Sequence, residues 1–313
     1  MSLISTDTLV TTTHSPCPVC GGFRFRVLGR CKDYLVSGEE FSLHRCVDCG
    51  FIQTGNPPNA ENLGAYYKSK NYIPHSDTSR GVTSTLFRLA RNRMLKQKIS
   101  WVERSLGGML PSSLLDVGAG TGYFADQIRR LDCDVVAVEV DDDARALVAQ
   151  RIGPDRSFAH ISALPKVYEK DAFQVITLWH VLEHIPDLDA HLSAFYQMLK
   201  PGGALVLALP NSASFDARHY KRMWAAYDVP RHLWHFSFNT LSALVSRYGF
   251  ALSSVHPMYL DAFYVSILSE QNRKNTRSGM AFCRGIGLGL RSLYASLRNK
   301  NLASSLVYIL HKS

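Results

Sequence analysis

Three groups of residues have the types and spacing to do chemistry. The first is a pair of Cys-x-x-Cys hooks, "CPVCGG" (Cys17, Cys20) and "CVDCGF" (Cys46, Cys49), with twenty-five residues between Cys20 and Cys46. Four thiolates suit a tetrahedral zinc ion, and a site closed by four sulfurs has no open position, so its role is structural. A glycine follows each hook, Gly21 and Gly50, and predicts a tight turn that aims backbone N–H groups at the sulfurs. The second group is "LLDVGAGTGYF" (residues 114–124), in which an apolar run ends at Asp116 and glycines follow at Gly118, Gly120 and Gly122. The third is histidine. Six of the twelve lie between positions 180 and 235, concentrated in "WHVLEHIPD" (His180, Glu183, His184) and "YDVPRHLWHFS" (Asp228, Arg231, His232, His235). Histidine titrates near neutral pH and is the natural base for removing an acceptor's proton.

A glycine loop after a strand usually holds a small charged ligand. A nucleoside triphosphate requires G-x-x-x-x-G-K-[ST], which this chain lacks. A dinucleotide usually shows G-x-G-x-x-G/A, whereas Tyr123 stands at the next required position here. Charge separates the remaining choices. Asp116 would repel a pyrophosphate, but it suits a ligand with an ammonium group and a positive sulfur. Glu139, seventeen residues after Gly122, can accept both hydroxyls of a ribose. An adenosyl group with a cationic amino-acid tail fits, and that ligand is S-adenosylmethionine.

These residues need a frame. Strands are expected at "SLLDV", "DVVAVEV", "FQVITLW" and "ALVLALP", with helices from "YFADQIRRL", "DDARALVAQR" and "DLDAHLSAFYQML" between them. Apolar strands alternating with amphipathic helices imply an α/β fold, a doubly wound and mostly parallel seven-stranded sheet, with ligands beyond the carboxyl ends of the strands. "ALSSVHPM" adds a strand, and "SSLVYILHK" is expected as the last, antiparallel one. Residues 1–60 form a small zinc-ribbon-like module, with a hairpin in "DYLVSGEEFSLHRC". Residues 61–110 are a linker and helical lead-in. Residues 111–313 form the main domain, with an insertion at 211–238 and a helical insertion at 260–300.

"LLDVGAGTGYF", "VVAVEVDDDA", "FQVITLWHVLEHIPD" and "LKPGGALVLALPN" together resemble class I S-adenosylmethionine-dependent methyltransferases over roughly residues 111–257. The resemblance implies that Asp116, Gly118 and Gly120 hold the methionine part and Glu139 the ribose. Ser162–Ala163 would meet adenine, at a place where family members often carry an acid. Trp179 and His180 would line the methyl end. "HVLEH" is also a literal H-x-x-E-H, but it starts at a strand end and Pro186 follows, which argues against a zinc-protease helix. Some quinone-pathway O-methyltransferases that the chain resembles place a metal near a similar Glu-His pair. The insertion after "ALVLALP" is where this family binds its acceptor. There Trp224, Tyr227, Asp228 and Arg231 mix aromatic and charged groups, as a flat or sugar-like acceptor with a phosphate or carboxylate would require. His180 or His184 is expected nearest the methyl, with His232 or His235 as the alternative base.

The net charge of +9 is unevenly spread: residues 271–313 carry eight Lys/Arg and no acid. In the helical insertion Arg284, Arg291 and Arg298 recur every seven residues. Phe282, Ile286, Leu290, Leu293 and Leu297 form an apolar side that is expected to pack on the core rather than on a membrane. Gly285, Gly287 and Gly289 weaken that helix. No apolar run is long enough to span a bilayer, and no secretory signal is visible, so the expected location is cytoplasmic. The expected activity is methyl transfer to a small-molecule, sugar or lipid-linked envelope acceptor, since a zinc module ahead of this fold also resembles sugar C-methyltransferases. Two alternatives stand. One is an rRNA or tRNA methyltransferase that uses the zinc module and the basic surface, although "WHVLEH" replaces the N/D-P-P-Y-type motif of amine methylation. The other is a non-catalytic protein that binds S-adenosylmethionine.

Overall fold

The computed structural model describes residues 9–11, 16–67, 82–168, 170–274 and 278–313. The N-terminal part is antiparallel: β1 (Leu9–Thr11), β2 (Arg24–Lys32), β3 (Glu40–Cys46) and β4 (Ile52–Gly55). The Asp33 carboxylate builds the β2–β3 turn by accepting the N–H groups of Leu35, Val36 and Ser37. A short helix, α1 (Ala60–Leu63), and the long α2 (Val82–Ser105) lead to the main sheet.

The main sheet alternates strands and helices as the apolar runs predict for all but the two-residue β7: β5 (Ser113–Val117), α3 (Tyr123–Arg129), β6 (Asp134–Val138), α4 (Asp142–Ile152), β7 (Ser157–Phe158), β8 (Phe173–Trp179), α5 (Leu188–Met198) and β9 (Leu199–Pro210). Every residue of β5 is buried, because helices cover both faces. The insertion contributes α6 (Phe215–Tyr220) and β10 (Trp234–His235). The chain ends with α7 (Phe238–Ser246), β11 (Phe250–Pro257), α8 (Asp261–Lys274), α9 (Gly279–Arg298) and β12 (Ser305–Lys312). The strand order is β11-β12-β9-β8-β5-β6-β7, with β12 antiparallel to both neighbours. The carboxyl ends of β5, β6, β7 and β8 therefore share one edge.

In the cysteine hooks, Cys17 Sγ lies 3.5 Å from Cys49 Sγ and Cys20 Sγ lies 3.5 Å from Cys46 Sγ. All four ligand atoms fall within 4.8 Å of one another. Tetrahedral zinc with bonds of about 2.3 Å sets sulfurs about 3.8 Å apart, so the donor set fits. The glycines make the tight turns that the sequence leads one to expect. Gly21 and Gly50 adopt positive φ and give their N–H groups to the carbonyls of Cys17 and Cys46, closing each loop. The N–H groups facing sulfur come from Val19 and Cys20 toward Cys17, and from Asp48 and Cys49 toward Cys46.

The module is stitched into the rest of the fold rather than appended at residue 60. Strand β10 of the insertion pairs with β4, making a five-stranded sheet β1-β2-β3-β4-β10. Phe51 packs against Trp234 and Phe236 at centroid distances of 6.0 and 5.6 Å. Cys17, Phe25, Cys46 and Phe51 belong to the same apolar cluster as the main-sheet residues Leu115 and Leu207.

Arg231 locks this seam. It is 1% exposed, and it bonds Asp33 Oδ1 of the β2–β3 turn at 2.9 Å, Asp228 at 2.6 and 3.0 Å, and the Tyr66 carbonyl at 3.0 Å. Burial alone would raise the Asp33 carboxyl. The Arg231 guanidinium and the N–H groups of Ser37 and Leu35 outweigh it and hold the carboxyl below its usual value.

The α8–α9 hairpin also departs from expectation. Gly285 and Gly289 do not simply weaken α9. A Cβ at Gly285 would sit 2.5 Å from Ile267 Cα, and one at Gly289 would sit 2.7 Å from Phe263 Cδ1. These two glycines thus bring α9 against α8, while Ala281, Leu288, Ser292 and Ser296 are buried on the same side of the helix, Ser292 bonding Asp216 of α6. The apolar row expected in the core faces outward instead: Phe282, Leu290 and Leu297 are 51–64% exposed, and Ile286 and Leu293 are half-buried.

Replacing Arg231 by Ala leaves Asp33 buried and unpaired. The expected loss is about 3–5 kcal/mol of unfolding free energy in urea. The depressed Asp33 pKa contributes stability that is present at neutral pH and lost as the pH falls through the folded value, so the difference between wild type and variant should shrink in acid.

Candidate active site

The glycine loop leaves β5 at the shared strand edge. Gly118, Gly120 and Gly122 all have positive φ (69°, 55° and 79°), which excludes most side chains. A Cβ at Gly118 would also lie 2.4 Å from Val181 Cγ2 of the segment after β8. At Gly120 a Cβ would meet nothing within 4 Å, so the backbone there borders open space. The loop N–H groups of Gly118 and Ala119 bond the Val138 carbonyl, and the Gly120 N–H donates to Glu139 Oε2 at 2.7 Å. Glu139 Oε1 accepts from the Asp141 N–H at 3.0 Å. Glu139 is thereby fixed at the end of β6, with carboxylate lone pairs left for hydroxyl groups.

Asp116 is buried and accepts the Thr177 hydroxyl at 2.8 Å. Burial pushes its carboxyl up to about 7, against the opposing pull of the Thr177 hydroxyl and the Lys98 ammonium. Burial also raises Glu139. Burial thus resists the charge on two carboxyls at one edge, and a cationic guest relieves that cost. Lys98 of α2 already responds to that field. Its ammonium lies 4.7 Å from the Trp179 ring, and burial draws it down to about 8, with Asp116 and Asp261 resisting. Neither Lys98 nor Thr177 belongs to a local motif. Lys98 falls only within the helical lead-in expected at residues 61–110, and the packing of α2 brings it here.

Ser162 and Ala163 fall on a short 3-10 turn just after β7, at the same strand edge. Trp179 closes β8 and packs between Trp101 (6.1 Å) and Phe124 (5.3 Å). His180 has φ 59°, in the left-handed region that few residues other than glycine adopt. That turn sets its Nδ1 3.6 Å from Glu183 and its Nε2 3.4 Å from Asp261, the first residue of α8. Burial disfavours the imidazolium, but Asp261 and Glu183 overcome it and carry His180 to about 9. His184 goes the other way. Burial first, and then the neighbouring His232, lower it to about 4. Its Nδ1 lies 3.0 Å from the Tyr67 hydroxyl and 3.1 Å from the Arg231 carbonyl. His232 stands edge-on to His184 at 4.5 Å, and its Nδ1 faces the Ala226 carbonyl at 2.9 Å, which leaves Nε2 as the acceptor nitrogen. Glu183 is buried, and among the described residues neither of its oxygens has a hydrogen bond. Ligand atoms of Glu183, His184 and His232 lie within 4.8 Å of one another, so the trio also has the chemistry to hold a divalent cation.

The rest of the expected acceptor cluster lies elsewhere. Arg231 does not offer its guanidinium to a ligand anion, because Asp33, Asp228 and Tyr66 already engage it. Asp228 is that guanidinium's partner. Trp224 is 2% exposed and donates to Asp216 Oδ2 at 2.8 Å. Tyr227 is buried beside it, 5.1 Å away. His235 is buried, its Nε2 faces the Thr54 hydroxyl at 3.0 Å, and burial drives its pKa far down. These side chains form the seam between the module and the insertion. Aromatic and charged residues in a loop have the same composition whether they line a mouth or fill a joint, so composition alone misplaced them.

The strand order and the acid-flanked glycine loop define a class I S-adenosylmethionine-dependent methyltransferase, here carrying an N-terminal four-cysteine module. A family model described as "Methyltransferase domain" matches residues 88–255, more than half of the chain, and the chain belongs to that family. Similar proteins include the ubiquinone biosynthesis O-methyltransferases of Shewanella pealeana (25% identical over 118 residues, 36% of this chain and 50% of that protein) and Roseobacter denitrificans (28% over 159 residues, 45% and 64%). The chain thus spans between half and two thirds of the length of these relatives. A putative sarcosine dimethylglycine methyltransferase from Galdieria sulphuraria superposes with TM-score 0.49 and 12% identity, over 81% of this chain and 98% of that one.

The raised Asp116 pKa has a direct consequence. Below pH about 7 the carboxyl carries a proton that a cationic ligand must displace. Affinity for S-adenosylmethionine should therefore fall as the pH drops below neutrality, by up to about tenfold per pH unit, and level off above it. Calorimetry across that range checks the slope. The Asp116→Asn variant should bind weakly with no such slope, and a slope that persisted there would place the titrating group elsewhere.

Proposed function

We propose that the chain moves a methyl group from S-adenosylmethionine to a small-molecule or lipid-linked acceptor by direct displacement, and that its four cysteines hold a structural zinc ion. The carrying observation is the pairing of two buried acids at the glycine loop with a histidine–glutamate cluster at the end of the next strand, β8. When bound, the donor supplies an electrophilic methyl on a positive sulfur. Asp116 takes the ammonium group, Glu139 takes the ribose hydroxyls, and Ser162–Ala163 border the adenine. Trp179 and His180 line the methyl end.

The histidines divide the remaining work. His180, held cationic by Asp261 and Glu183, is a poor base at neutral pH and suits the orientation of an acceptor oxygen. His184 stays neutral, and His232 has Nε2 as its acceptor nitrogen, 3.9 Å from Asp228 Oδ2, so these two are the candidates to take the acceptor's proton. The named relatives methylate oxygen in ubiquinone biosynthesis, which supports a small hydroxyl-bearing acceptor over RNA.

Donor labelled in its methyl group, mixed with the protein and fractionated cell extract, should deliver label to the small-molecule or lipid fraction. Label confined to RNA would overturn this reading. His232→Ala or His184→Ala should lower single-turnover methylation about a hundredfold or more, with donor affinity unchanged by calorimetry. For the metal, the purified chain should release zinc to a colorimetric chelator on denaturation. Cys46→Ser should abolish that release and lower the melting temperature, and a zinc-free wild type would rule the assignment out.

A further inference from the structure

Helix α9 carries three distinct stripes. Gly285 and Gly289 pack on α8, and Ala281, Ser292 and Ser296 are buried on the same side, with Ser292 bonding Asp216 of α6. Roughly opposite, Phe282, Leu290, Tyr294 and Leu297 stand 51–64% exposed, with Met280 beside them at 65%. Arg284, Arg291 and Arg298 run along the border of that apolar stripe, all exposed, and Lys300 follows. Core-facing amphipathic helices bury their apolar stripe and turn charge outward. Here most of the large apolar residues are on the outside, Leu288 excepted, and mainly small ones are buried against the fold.

We infer that the outer face of α9 docks on an anionic lipid bilayer, lying in its interface rather than crossing it. Four observations point to that occupant. The apolar stripe is flanked by guanidiniums, the pattern of a helix that seats its apolar side among acyl chains while long cationic side chains reach the headgroups. Residues 271–313 contain no acid, so nothing on this segment repels an anionic surface. Phe215, Leu290, Tyr294 and Leu302 line an apolar groove of about 540 Å³, and Arg291 and Arg298 sit on its rim. An acyl chain beside a phosphate matches those walls and that rim. Finally, among the described residues no helix is long and apolar enough to cross a membrane, which leaves the interfacial mode.

The same hairpin reaches the candidate active site, because α8 begins with Asp261, the residue 3.4 Å from His180. A docked α9 would therefore hold that site next to the bilayer surface. The inference stands whether or not the acceptor proves to be lipid-linked, since its readout is adsorption rather than turnover.

The test is flotation of the full chain with vesicles of phosphatidylcholine mixed with phosphatidylglycerol, and of phosphatidylcholine alone. Binding should require phosphatidylglycerol and weaken with salt. Each of R284Q, R291Q and R298Q should weaken partitioning about fivefold, and the triple variant roughly a hundredfold. L290S with L297S should weaken it at least about tenfold even at low salt. All of these residues are exposed, so donor affinity should not change and thereby reports intact folding. No binding to the anionic vesicles would overturn the inference, as would binding that ignores these substitutions. Two other results would reassign the face: concentration-dependent dimerisation abolished by L290S, or RNA retention abolished by the arginine changes without any lipid binding.

Discussion

An arginine taken out of water must be surrounded by acceptors, because an unmatched buried charge costs several kcal/mol. Arg231 meets that requirement by drawing on three separate parts of the chain: the β2–β3 turn through Asp33, the connection after α1 through Tyr66, and its own loop through Asp228. None of the three can move without uncovering the charge. The cysteine module, the insertion and the turn just after α1 are thereby held as one body. The residue next along the chain, His232, is placed by the same lock. So is His184, whose Nδ1 faces both the Arg231 carbonyl and the hydroxyl of Tyr67.

That anchoring lets a group of histidines and acids sit close together with divergent proton affinities. His180 lies between two carboxylates and is driven up, while His184 lies against another histidine in a buried position and is driven down. Glu183, buried and without a hydrogen bond among the described residues, is the electrostatic centre around which they are arranged. Across the β8 strand end, Asp116 and Glu139 place two buried carboxyls at the glycine loop, and Lys98 lies in the field of the first. The site is therefore built from groups that are each uncomfortable alone. Neighbouring elements supply the countercharge, which is what a preorganised polar site requires.

The α8–α9 hairpin obeys a different constraint. Two helices can approach closely only where side chains are absent, and Gly285 and Gly289 provide that clearance against Ile267 and Phe263. Once the glycines make the contact, the large residues on the far side of α9, unlike the buried Leu288, have no interior left to enter. Their exposure is a consequence of the packing rather than an accident of the surface.

The order of strands and helices in the main sheet was legible in the residues alone, because strands buried on both faces must be apolar throughout and their helices must be amphipathic. The cysteine spacing and the glycine loop were equally readable, since each depends on chemistry confined to a few consecutive residues. The position of Asp116 and Glu139 at strand ends followed from the same local pattern. Other features were settled only in three dimensions. Trp224, Tyr227 and Arg231 have the composition of a binding surface, yet the pairing of β10 with β4 turned them into a joint. Lys98 and Asp261 enter the candidate site from helices remote in sequence, with no motif to announce them. The apolar stripe of α9 has a period that says which residues share a face, but periodicity cannot say which face meets the protein. That depends on where another helix finds room to approach.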